Sequence, residues 1–117
     1  LDLTNNSELE HLVCGKGALS SMLLPENSKL IQLYCTNSLI RQLDLSGCPL
    51  LEDLDVSYNR LQALDLSYCP NLDRLHAYNN EIASLDLSPC LFLTEALLGF
   101  NKLPVEFQHL IYHSLLF

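Results

Sequence analysis

The chain has 117 residues, with 14 Asp and Glu against six Lys and Arg, for a formal net charge of −8. That balance disfavours both the basic stripe that neutralises nucleic-acid phosphates and an anionic membrane surface, and no stretch approaches the roughly 18 apolar residues of a membrane span. Five cysteines, an odd number, argue against a closed disulfide framework and fit either a reducing compartment or a piece of a secreted protein.

Leu1, Met22, Leu43, Leu64 and Leu85 stand 21 residues apart, and the segments they open align without a gap. Residues 1–105 therefore divide into five repeats: 1–21, 22–42, 43–63, 64–84 and 85–105. The first repeat opens on Leu-Asp-Leu-Thr with neither an initiator Met nor a basic leader, and this reads as a fragment of a longer protein. Each unit begins with apolar residues at its first and third positions, as in Leu43 and Leu45 or Leu64 and Leu66. The Ser of Leu-Asp-Leu-Ser at Ser46, Ser67 and Ser88, with Thr4 before them, is expected to bond backbone in a turn, while Pro49 and Pro70 keep that segment out of any ladder.

Further along each unit the ninth position is Leu9, Leu30, Leu51, Leu72 and Leu93, and the twelfth is Leu12, Leu33, Leu54, Leu75 and Ala96. The fourteenth, Cys14, Cys35, Val56, Ala77 and Leu98, follows two residues later, so the local period is two and a short strand is predicted over positions eleven to fifteen. The nineteenth position, Leu19, Ile40, Leu61, Ile82 and Leu103, closes the apolar set. One unit cannot hide these columns alone, so they point into a continuous core shared between neighbours. Twenty-one residues leave too few for a full crossover helix, and the return segment is expected to be extended or built of 3₁₀ turns.

After the last repeat, Pro104 suits a first helical position, and Phe107, Leu110, Ile111, Ser114 and Leu115 share one helical face. The tail 104–117 thus reads as a C-terminal capping helix, truncated at its apolar end. His109, His113 and Glu106 have a spacing that permits metal binding, but they fall on the solvated side of that helix and offer only two ring ligands, so no metal is assigned.

The pattern Leu-x-x-Leu-x-Leu/Cys-x-x-Asn-x-Leu/Ile, as in Leu51-Glu-Asp-Leu-Asp-Val-Ser-Tyr-Asn59-Arg-Leu61, resembles the leucine-rich repeat family over about residues 1–103. The 21-residue unit with Leu-Asp-Leu-Ser and an occasional strand Cys resembles in particular the bacterial repeats of the internalin J type and of host-directed effectors. The resemblance implies a leucine-rich repeat solenoid, an α/β-type horseshoe arc with a short parallel sheet on its concave side. It also implies a secreted, cell-surface or host-translocated protein, although free cysteines suit cytoplasm equally. The family's turn asparagine, whose side chain bonds backbone after the strand, maps onto Asn59, Asn80 and Asn101. Gly17 and Ser38 replace it in the first two units, which are expected to be less regular.

Cys48, Cys69 and Cys90 share the sixth position and should form a ladder about 5 Å apart, read as packing because a line of equivalent thiols does not converge on one metal. Cys14 and Cys35 occupy a column that Val56, Ala77 and Leu98 also fill, so packing is expected there too. Asp55 and His76 share an outward column, yet no strained elbow, base-activated nucleophile or Gly-rich loop accompanies them, and neither an enzyme nor a cofactor is predicted.

The outward columns are His11, Gln32, Asp53, Arg74, Glu95; Val13, Tyr34, Asp55, His76, Leu97; Gly15, Thr36, Ser57, Tyr78, Gly99; and Lys16, Asn37, Tyr58, Asn79, Phe100. They vary where the core columns do not. Tyr34, Asp53, Asp55, Tyr58, Arg74, His76, Tyr78, Leu97 and Phe100 are the candidate partner-binding residues, an aromatic belt beside acidic groups that fits a basic or mixed protein surface. The expected function is non-catalytic protein binding through the concave face, with a structural spacer, or the targeting part of a larger enzyme such as a ligase, as alternatives. A glycan could stack on Tyr34, Tyr58 and Tyr78, but no Asp-Asn or Trp constellation supports one.

Overall fold

The computed structural model describes residues 1–104. Five parallel strands, β1 (His11–Gly15), β2 (Gln32–Thr36), β3 (Asp53–Asp55), β4 (Arg74–His76) and β5 (Glu95–Leu97), form one sheet in sequential order. Their register is an offset of one repeat throughout: Leu12 pairs with Leu33, Leu33 with Leu54, Leu54 with Leu75 and Leu75 with Ala96. The predicted strand positions are the observed ones, with β3, β4 and β5 ending after the thirteenth position. Backbone bonds carry the ladder further, as in Val56 N to His76 O at 2.8 Å and Tyr58 N to Tyr78 O at 3.0 Å.

The apolar columns stack into one core. Leu33, Leu54 and Leu75 are fully buried, and so are Leu51, Leu72, Leu61 and Ile82. Burial weakens in the first and last described units, where Leu9, Leu12, Leu93 and Ala96 are only partly covered.

Among the described residues there is no helix, so the α/β-type label is corrected to a β-solenoid whose return side is made of turns. The capping helix expected at 104–117 lies outside the described residues beyond Pro104. On the return side two tight turns run in tandem, with Cys48 N bonding Leu45 O at 3.0 Å and Leu51 N bonding Cys48 O at 3.5 Å. The same pair recurs at Leu66–Cys69–Leu72 and Leu87–Cys90–Leu93. These are single turns with the 3₁₀ bonding pattern that never propagate into a helix, because each unit has only its few residues between the third and ninth positions to spend there.

The Asp of Leu-Asp-Leu-Ser, rather than the Ser, organises the preceding turn. Asp44 Oδ1 accepts from Ser46 N at 2.9 Å, Asp65 Oδ1 from Ser67 N at 3.0 Å and Asp86 Oδ1 from Ser88 N at 2.9 Å. Asp2 does the same for Thr4. The second unit has Leu23 in that place and departs from the pattern: Asn27 takes φ 53° and Ser28 N reaches Gly47 O at 2.8 Å. Gly47 is required at that crossing, since a Cβ there would lie 2.2 Å from Pro25 O. A hollow of about 650 Å³, lined in part by Thr4, Pro25, Asn27 and Asp44, opens beside this break. The irregularity expected of the first two units is thus found on the turn side of the second; their strands, with five paired residues, are the longest in the sheet.

Candidate functional site

The turn asparagines lock the sheet's exit. Asn59 Oδ1 accepts from Ile40 N at 3.2 Å, while its Nδ2 donates to Cys35 O at 2.8 Å and Val56 O at 3.0 Å. Asn80 and Asn101 repeat this one unit further on each time, tying each of the last three units to its predecessor. Ser38, in the same column, is buried with its hydroxyl unpartnered among the described residues.

Just before that lock, every unit places its sixteenth residue in the left-handed region: Lys16, Asn37, Tyr58, Asn79 and Phe100 have φ between 55° and 59°. Asn tolerates this conformation, whereas Tyr and Phe are strained in it. Nothing in a hydropathy pattern reveals such a column; the only trace is the Asn at alternate units. The strain holds Tyr58 and Phe100 out at the edge of the sheet, 45% and 83% exposed.

The sheet's outer face carries a continuous polar chain built by the one-repeat register. Tyr34 Oη donates to Asp53 Oδ2 at 2.5 Å, and Arg74 approaches that same oxygen at 3.9 Å. Arg74 Nε donates to Glu95 Oε2 at 3.2 Å, and His76 Nε2 lies 2.7 Å from the same Glu95 oxygen. The opposite ring nitrogen, Nδ1, is 3.8 Å from Asp55 Oδ2. Asp55 and His76, which share an outward column, therefore make the looser contact, and Glu95 is the partner that sequence reasoning missed. Its signal was present in the Arg74–Glu95 column. The His76 and Arg74 bonds hold the Glu95 carboxyl below its ordinary range, and the bond to Asp53, helped by burial, raises the Tyr34 phenol.

Of the expected aromatic belt, Tyr58 and Tyr78 meet edge to face with centroids 5.2 Å apart and planes at 80°, and His76 leans on Tyr78 at 6.5 Å. Tyr34 is instead turned toward Asp53, and Leu97 and Phe100 stand exposed without a ring contact among the described residues. Ser57, expected to face outward beside this pair, is 1% exposed; its N donates to Asp55 Oδ1 at 3.0 Å while its hydroxyl has no partner among the described residues.

The second ladder lies on the turn side. Cys69 Sγ donates to Cys48 O and Cys90 Sγ to Cys69 O, each at 3.6 Å, and all five cysteines are free thiols. Burial pushes Cys69 up to about 12 and raises Cys48 and Cys90, so these thiols stay protonated and serve as small buried groups that also cap carbonyls. Among the described residues no three His, Cys, Asp or Glu side chains gather into a metal-holding group.

A parallel β-solenoid of five strands with an asparagine lock after each of its last three resembles the architecture of leucine-rich repeats. In a search of solved structures it is similar to the functional domain of InlJ from Listeria monocytogenes, a structure that includes a cysteine ladder, with 25% identity and a TM-score of 0.63. The match covers 88% of this chain and 32% of that one, so the chain spans about a third of its neighbour's length. No family model and no curated protein matches the sequence.

Proposed function

We propose that this solenoid is a non-catalytic protein-binding module that engages its partner through the concave sheet face, as part of a bacterial surface or host-directed protein. The observation that carries this reading is the strained Tyr58. Its left-handed conformation costs about 1–2 kcal/mol, and Asn satisfies the same backbone position in the units on either side, so the fold itself has no use for the ring. A side chain kept at such a cost, held against Tyr78 and beside a polar chain of Asp53, Asp55, Arg74, His76 and Glu95, suits an interface anchor. The similarity to an internalin-type repeat domain supports the same class.

The test is capture of partners from host-cell and bacterial lysates by the chain and by a variant carrying Tyr58→Asn and Tyr78→Ala. A protein retained by the native face and lost from the variant is the expected result. No capture by either form, with both folded, refutes binding and leaves a structural spacer.

A further inference from the structure

The polar chain on the sheet is unevenly satisfied. Arg74 already lies between two carboxylates, Glu95 at 3.2 Å and Asp53 at 3.9 Å, and Tyr34 takes up Asp53 as well. Asp55 is more loosely held: one oxygen accepts from Ser57 N, and the other lies 3.8 Å from His76 Nδ1. Its neighbours in the same and the next unit are Ser57, Tyr58 and Tyr78, where the exposed Tyr58 ring meets Tyr78 edge to face.

We propose that Asp55, Tyr58 and Tyr78 form a subsite for one arginine side chain of the protein partner. This rests on the binding role assigned above and specifies its chemistry. A guanidinium is planar, weakly hydrated and rich in donors, so it stacks on a tyrosine face while giving hydrogen bonds to a carboxylate. The surrounding charge favours it: Asp53, Asp55 and Glu95 outnumber Arg74 on the face, Glu52 and Asp73 stand exposed at the entry to the strands, and the chain as a whole carries −8. The Arg74 guanidinium one strand over shows that the sheet seats this group between carboxylates. A lysine has no plane to stack, and an acidic side chain meets repulsion from Asp55.

The probe is the peptide acetyl-Gly-Gly-Arg-Gly-Gly-amide, titrated into the isotopically labelled protein at low salt and followed by amide chemical shifts. Peptides with Lys, Leu or Glu in place of Arg serve as controls. The Arg peptide should give saturable shifts centred on Asp55, Ser57, Tyr58 and Tyr78, weakening as ionic strength rises, with the Lys peptide weaker and the Leu and Glu peptides inert. Tyr58→Asn, which suits the left-handed backbone, and Asp55→Asn, which keeps the acceptor for Ser57 N, should each weaken binding about threefold without lowering the melting temperature. Shifts centred elsewhere, equal response to Leu or Glu peptides, or full affinity in both variants would overturn the subsite. A captured partner that depends on Tyr58 and Tyr78, together with no response to the Arg peptide, sinks this inference and leaves the binding role standing. A response to the peptide with no captured protein leaves a guanidinium site on the face and overturns its assignment to a protein partner.

Discussion

Asn59 makes one amide side chain serve two coils. It accepts from Ile40 N and donates to carbonyls of both its own unit and the preceding one, all in a buried setting. Replacing it by Ala leaves those groups unmet, so Asn59→Ala should cost about 3 kcal/mol in chemical denaturation. The converse substitution is available one unit earlier, where Ser38 occupies the same column with an unpartnered hydroxyl. Ser38→Asn should raise stability by about 1 kcal/mol by extending the lock to the first coil, and a loss of stability would show that this site lacks room for the longer side chain. The asparagine role was readable from sequence spacing at Asn59, Asn80 and Asn101. The left-handed residue just before it was not, because a φ angle leaves no mark in an apolar pattern and Tyr58 and Phe100 are residues that sequence statistics place elsewhere.

At the scale of the repeated element, the turn after Leu-Asp-Leu is held by an aspartate acceptor. The Ser46, Ser67 and Ser88 bonds hold the carboxyls of Asp44, Asp65 and Asp86 below the ordinary 3.8, and Thr4 does the same for Asp2. A carboxyl whose value is lower in the folded state contributes stability that is complete above its unfolded value and disappears as pH falls through the folded one. The melting temperature should therefore decline as pH drops below 3.8, and Asp65→Asn, which keeps an acceptor without the charge, should flatten that decline. An unchanged acid profile in the variant would assign acid sensitivity to other carboxylates. The sequence pointed to the hydroxyl rather than the carboxylate here, since both residue types cap turns and only the coordinates show which oxygen faces the amide.

Over the whole molecule, stability is a sum of coils and the contacts between them, greatest in the middle, where Leu33, Leu54 and Leu75 are fully buried in one stack. Leu54→Asp places an unpaired charge in that stack and should abolish cooperative unfolding. Deleting residues 43–63 removes one whole unit but rejoins equivalent positions, and the shortened array should still unfold cooperatively at a lower temperature. If the deletion were as damaging as the point substitution, the units would not be interchangeable modules.

The 21-residue register, the strand positions and the core columns were all determined by the sequence, because stacking makes each column answer the same physical demand in every unit. Repetition turns burial into a readable pattern. The face has no such redundancy: whether Asp55 or Glu95 takes His76, whether Tyr34 turns to Asp53 or Tyr78, and whether Ser57 lies covered depend on contacts between side chains of different units. Those choices were decided only in the tertiary structure, where the one-repeat offset of parallel strands brings residues 19 and 21 positions apart within hydrogen-bonding distance.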